Sequence, residues 1–272
     1  MARFTTNDDV SPSYTDDGTG DPVVLIHGYT APASSWAFTS DALLDAGYRV
    51  VTFDRRSTGD SDTPMFGQRM ARHGRDIGEL LDHLGLDDVM LVGASMGGNA
   101  IWAYVDQFGS SRLRGVVIVD QTPKMLNTPD WPHGFYGYNL ANAGTLFAEG
   151  VAPTGVGRAA EKSAPGLARL AERLGRPPVF RDPAAPETIR LLLDHALQDW
   201  RDVAARIDRP VLMVAARGSQ LWPCEHAAAA VADNPFGRAV VIEDCGHMVT
   251  FDQLDRFNEV LLDFLRTAPA SG

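Results

Sequence analysis

The chain has 272 residues, 44% of them hydrophobic, which suffices for one sizeable core; a single α/β domain carrying an insertion fits this length. Its formal charge of -11 argues against binding to nucleic acid, whose phosphate backbone is held by clustered Lys and Arg, and favours a soluble protein. Met1 to Asp9 has no apolar leader core, and no later segment approaches the roughly 18 apolar residues a membrane span requires, so a cytoplasmic protein with no membrane partner is expected.

In chain order, β-branched runs at Val23 to Ile26, Arg49 to Phe53, Val89 to Val92, Gly115 to Val119, Val211 to Ala215 and Ala239 to Ile242 alternate with amphipathic stretches. This alternation predicts an α/β fold with a mostly parallel central sheet and helices on both faces. The unbroken run Val116-Val117-Ile118-Val119 suits a strand buried on both faces. Met70, His73, Ile77, Leu80, Leu81 and Leu84 recur at helical spacing, with Gly85 placed to cap the helix. Between about Pro123 and Arg209 the rhythm breaks into Pro- and Gly-rich sequence with an aromatic loop (Trp131, Phe135, Tyr136, Tyr138) and helical segments at Leu167 to Leu174 and Thr188 to Ala205. This predicts a core of residues 1–122 and 207–272 with a helical cap at 123–206, and Phe251 to Leu265 closes the chain as a helix.

Gly93-Ala94-Ser95-Met96-Gly97 follows the run Val89-Met90-Leu91-Val92 and precedes a helical stretch from Gly98 to Gln107. Small residues beside Ser95 let a strand turn sharply into a helix and hold the hydroxyl exposed; the helix N-terminus adds free N–H groups where an oxyanion would form. His247 stands in a Gly-flanked loop ahead of the last helix, off any periodic face, as a base would. His73, His83, His133, His195 and His226 are read as surface or helix-packing residues, and with no pair at metal-ligand spacing beside a carboxylate, no metal is expected. Cys224 and Cys245 match neither a zinc site nor a disulfide framework and read as free thiols. The alternative is that folding pairs them, because Cys245 closely precedes His247 and Cys224 follows a predicted strand.

His27-Gly28-Tyr29 after a strand, Phe53-Asp54-Arg55-Arg56-Ser57-Thr58-Gly59-Asp60-Ser61 after the next, the serine turn and Asp244-Cys245-Gly246-His247 run in one order that resembles the α/β-hydrolase superfamily. The resemblance implies Ser95 as nucleophile, His247 as proton shuttle, the backbone N–H groups of Met96 and Tyr29 as the oxyanion hole, supporting roles for His27, Gly28, Gly93 and Gly97, and no cofactor. The Asp-Arg-Arg segment is similar to that of cofactor-free haloperoxidases and their esterase relatives, with Ser57 where those usually carry Gly. At the position upstream of Pro223 where the family usually supplies its acid, this chain has Ser219, which cannot stabilise an imidazolium as a carboxylate does. Some branches, including many haloalkane dehalogenases and zearalenone-type lactone hydrolases, place the acid where Asp120 ends the strand after the nucleophile. Asp120 is therefore the expected third member, with Glu225 second; the plain alternative is an ordinary strand-end Asp.

Trp36 and Trp222, near loops at the carboxyl ends of strands, are expected to line the pocket with Trp131, Phe135 and Tyr136; those three rings equally suit packing within the cap. Trp102 reads as core. The expected reaction is hydrolysis of a small, partly apolar carboxylic ester or lactone through an acyl-enzyme. The rivals are perhydrolysis or haloperoxidase-like chemistry, or carbon–carbon bond hydrolysis, on the same residues, and a ligand-binding receptor with vestigial turnover.

Overall fold

The computed structural model describes residues 1–268. The chain runs β1 (Ala2–Arg3), β2 (Ser13–Asp17), β3 (Pro22–Ile26), α1 (Ala37–Asp45), β4 (Arg49–Phe53), α2 (Met70–Leu84), β5 (Val89–Ala94), α3 (Met96–Phe108) and β6 (Leu113–Val119). It then leaves the sheet for α4 (Ala164–Leu174), α5 (Pro186–Ala196) and α6 (Arg201–Arg206) before β7 (Val211–Ala216), α7 (His226–Ala230), β8 (Gly237–Ile242), α8 (Val249–Asp252) and α9 (Leu254–Thr267). The eight strands form one sheet in the order β1-β2-β4-β3-β5-β6-β7-β8. Among the described residues, the β1/β2 and β2/β4 pairs are antiparallel and the other pairs of the sheet are parallel.

Alternate side chains of the inner strands feed two cores, because successive residues of a strand face opposite ways. Val24, Val51, Leu91, Val116 and Met213 pack with Ile77, Leu80 and Leu81 of α2 and Ile101 and Trp102 of α3. Val23, Val50, Met90, Val117 and Leu212 pack with Leu43 of α1 and Phe257, Leu261 and Phe264 of α9. The α2 stripe ends at Gly85, whose φ of 60° continues into a Leu86 N–H bond to Leu81 O of 2.9 Å, the left-handed cap its sequence predicts.

Three features depart from the sequence reading. β1, β2 and α1 were not expected, since Ser-Tyr-Thr-Asp-Asp of β2 lacks an apolar run and its outer half is exposed. The helix expected over Thr188 to Ala205 is broken between α5 and α6, where Trp200 N–H donates to Pro123 O at 2.9 Å. The closing helix breaks at Gln253, whose φ of -134° separates α8 from α9.

The strand order reverses at β3, which lies between β4 and β5. Open α/β sheets bind ligands at the carboxyl ends of strands beside such a reversal. Between β6 and β7 the described residues add no strand to the sheet; beside the helices they make two isolated β-bridges, Lys124 with Asp199 and Thr128 with Trp131. Among the described residues, no helix is long and apolar enough to cross a membrane.

Candidate active site

Ser95 caps α3 with φ 50° and ψ -129°, a conformation a non-glycine residue adopts only at a cost of about 1–3 kcal/mol. The turn is enforced by close packing. A Cβ on Gly97 would lie 2.2 Å from the Ile26 carbonyl oxygen, and one on Gly93 would lie 2.6 Å from the Gly97 carbonyl carbon. Ser95 N–H donates to Val119 O at 2.8 Å and Asp120 N–H donates to Val214 O at 2.6 Å, so the ladder carries both residues past the strand ends on neighbouring strands.

The structure brings Ser95, His247 and Asp120 together. His247 Nδ1 is 2.7 Å from Asp120 Oδ2, and Nε2 is 2.9 Å from Ser95 Oγ. A carboxylate only accepts, so Nδ1 carries the proton and Nε2 presents its lone pair to the serine hydroxyl. The loop carrying His247 is held by its neighbours: Gln220 Oε1 accepts the His247 N–H at 2.8 Å, and Asp252 Oδ2 accepts the Gly246 N–H at 2.8 Å.

Asp120 is fully buried and every side of its carboxylate is occupied. Ser219 Oγ donates to Oδ2 at 2.7 Å, Ala216 N–H donates to Oδ1 at 2.9 Å, and His226 Nε2 lies 3.6 Å from Oδ1. Burial pushes this carboxyl up, but the imidazoles of His226 and His247 outweigh it and hold the group below the ordinary carboxylate range. Glu225, the second candidate, is exposed to solvent, whereas His247 Nδ1 meets Asp120. Ser219 therefore sits beside the acid as a donor, a role that the sequence did not suggest.

His27 Nδ1–H donates to Gly28 O at 2.9 Å, and Nε2 accepts the Arg55 N–H at 3.0 Å. Burial and then the Arg55 charge push the His27 imidazole well below its ordinary pKa, so it stays neutral. Arg55 Nη2 donates to the same Gly28 carbonyl at 2.8 Å, which fixes the peptide before Tyr29. A Cβ on Gly28 would lie 3.1 Å from Ser95 Cβ, so this loop runs directly over the serine. Among the hydrogen bonds of the described residues, neither the Tyr29 N–H nor the Met96 N–H at the start of α3 donates to a protein acceptor.

A cavity of about 310 Å³ opens at Ser95 and His247. Trp36, Phe135 and Trp222 line it, and the Trp222 ring meets His247 edge-on at 5.4 Å. Trp131 and Tyr136 lie outside this lining, contrary to expectation. The Trp131 indole is buried, donating to Lys124 O at 3.0 Å and Thr122 Oγ1 at 3.2 Å beneath the Arg201 guanidinium, so it anchors the inserted segment. Tyr136 is held through its N–H to Leu221 O at 2.8 Å. His195, read from sequence as a packing residue, instead lines the cavity. One signal for it was present: with Thr188, Leu191 and Leu192 it falls on one buried stripe of α5, where a histidine is out of place.

Cys224 and Cys245 are buried free thiols. Cys245 Sγ donates to Ile242 O at 3.2 Å, and burial pushes its thiol up to about 12. Among the described residues no group of His, Cys, Asp and Glu is arranged to hold a metal.

Residues 21–254 match the α/β hydrolase fold family. A Synechocystis sp. protein placed with the non-heme chloroperoxidases is 30% identical, over 93% of this chain and 94% of its own length. The crystal structure of bromoperoxidase from Bacillus anthracis is 28% identical and superimposes with a TM-score of 0.81, covering 97% of this chain and 99% of that one. An esterase from Exiguobacterium antarcticum shares the fold with a TM-score of 0.79 at 23% identity, over 97% of this chain and 99% of its own.

Proposed function

The chain belongs to the α/β-hydrolase fold family, and on that premise we propose that it is a serine hydrolase of small carboxylic esters or lactones, with Ser95, His247 and Asp120 as its triad. The observation that carries this reading is the continuous line from Asp120 Oδ2 through the imidazole to Ser95 Oγ, at 2.7 and 2.9 Å, opening on a largely apolar cavity. His247 Nε2 takes the Ser95 proton as Oγ attacks the ester carbonyl, and the imidazolium so formed is stabilised by Asp120. The N–H groups of Tyr29 and Met96 hold the oxyanion. The imidazolium then protonates the departing alcohol, leaving an acyl-Ser95; water, deprotonated by His247, releases the acid and restores the serine.

Residues 123–206 act here as a cap. Met125, Phe135, Val151, Phe180 and Leu192 from this segment line the cavity, so substrate choice is made by the insertion while the sheet ends carry the chemistry. A second reading, peracid formation, has the likeness to the chloroperoxidase and bromoperoxidase in its favour. It needs only hydrogen peroxide in place of water at the acyl-Ser95 step.

The test is a panel of p-nitrophenyl esters and simple lactones, assayed for acid release, with a parallel arm of acetate plus hydrogen peroxide assayed for peracid. Turnover of esters that disappears in Ser95→Ala supports the hydrolase reading; peracid formation without ester turnover replaces it by the second.

A further inference from the structure

His195 ends α5 inside the inserted segment and lines the same cavity as Ser95, next to Leu192. The residue is only 4% exposed, and Nδ1 is enclosed without a partner; no described residue hydrogen-bonds Nε2, which is the ring nitrogen left to meet a ligand. Buried polar groups left unpaired cost free energy, so natural structures nearly always satisfy them with protein, water or ligand. The Trp36 and Trp222 indole N–H groups at this cavity are buried without a partner as well, but an indole can only donate, whereas a neutral imidazole can donate or accept. The Tyr29 hydroxyl donates to Pro183 O at 3.1 Å, and Ser35 and Thr250 are only half-buried, within reach of solvent.

Burial, followed by the charge of Arg55, pushes the His195 imidazole down to about 3, so it is neutral in any working buffer. A neutral imidazole offers one N–H and one lone pair. It suits an uncharged oxygen, a ketone that accepts or a hydroxyl that does either. A carboxylate would have to be stripped of its water without gaining a cationic partner on the ring.

We propose that His195 is a specificity-determining residue that hydrogen-bonds an uncharged oxygen on the non-reacting part of the substrate, so that the substrates are oxo- or hydroxy-substituted esters or lactones in preference to plain alkyl ones. This rests on the hydrolase reading for the word substrate, but the contact itself does not need turnover. Ser95 and His195 line one cavity of about 310 Å³, which has room for a short-chain ester.

Binding and turnover test it separately. Ser95→Ala protein is titrated with ethyl 5-oxohexanoate and ethyl hexanoate, followed by the fluorescence of Trp36 and Trp222, and the titration is repeated in Ser95→Ala carrying His195→Leu or His195→Gln. The expected result is roughly 10-fold tighter binding of the oxo ester, lost in the Leu form and kept in the Gln form, which retains a donor and an acceptor. The corresponding kcat/KM ratio for p-nitrophenyl 5-oxohexanoate over hexanoate falls with His195→Leu by a similar factor. Equal affinity for the two esters in Ser95→Ala, or a preference that survives His195→Leu, overturns the proposal, as does tighter binding of monoethyl adipate than of the oxo ester. If the oxo ester binds preferentially but no ester is turned over, the hydrolase reading falls and the His195 contact stands. If the Leu form fails to fold, a Gln form without the preference overturns it.

Discussion

Replacing Asp120 by Asn removes one charge and keeps the shape, and the surrounding donors dictate what the amide must do. Position 120 has φ 45°, a left-handed conformation that Asn tolerates as well as Asp, so the backbone stays in place. The Ala216 N–H, 2.9 Å from Oδ1, is fixed in the chain and can only donate, so the amide oxygen must take that side. The amide NH₂ is then left where Oδ2 stood, facing His247 Nδ1 at 2.7 Å and Ser219 Oγ at 2.7 Å. The serine hydroxyl can turn and accept, but the imidazole must give up its Nδ1 proton and carry it on Nε2. The ring then points a proton, not a lone pair, at Ser95 Oγ. Wrong tautomer and lost imidazolium stabilisation together are expected to lower kcat by roughly 10⁴, about 5 kcal/mol of transition-state stabilisation. The assay is steady-state hydrolysis of a p-nitrophenyl ester by Asp120→Asn, with circular dichroism confirming the fold. A kcat within about 10-fold of the parent would refute the argument and return Asp120 to an ordinary strand end.

Trp131→Ala is expected to act on stability, because the indole is buried and hydrogen-bonded outside the cavity; a loss of about 3 kcal/mol in denaturant unfolding is predicted, and a change in ester preference at unchanged stability would contradict it. His195 is depressed to about 3 from an ordinary 6.5, so as pH falls the unfolded chain takes up this proton first; stability is full above about pH 6.5 and drains toward pH 3. Between pH 7 and pH 5 this group alone removes about 2 kcal/mol, a share that vanishes from the pH dependence of urea unfolding in His195→Phe. Activity is expected to survive EDTA, since the proposed steps need only the serine, the imidazole and two N–H donors; loss restored by a divalent ion would count against it.

The sheet interior was legible because its strands are buried on both faces and therefore written as unbroken β-branched runs, as in Val116 to Val119. The edge was not: β2 is largely polar and gains its strand by pairing with Phe53 to Val50 of β4 on one side and Ala2 and Arg3 of β1 on the other. The serine turn could be read from its small residues, because the packing of Gly97 against Ile26 leaves no room for any other side chain. Asp120 was reached indirectly, through the Ser219 that stands where the family's acid is expected. The groups around Asp120 could not be read, because the donors Ser219 and Ala216 and the nearby His226 converge from separate segments and carry no local pattern. The pocket was half legible: Trp36 and Trp222 follow the rule of strand carboxyl ends, whereas the inserted segment has no such rule, and burial alone does not tell a ring that packs, such as Trp131, from one that faces the cavity, such as Phe135.

Covalent labelling reads out directly whether Ser95 is an activated nucleophile. The protein is incubated with a fluorophosphonate and its peptides are mapped by mass spectrometry. One adduct is expected on the peptide holding Gly93 to Gly97, located at Ser95, absent from Ser95→Ala and strongly slowed in Asp120→Asn. An adduct at another serine, or an unlabelled protein that still hydrolyses esters, would mean that Ser95 is not the nucleophile.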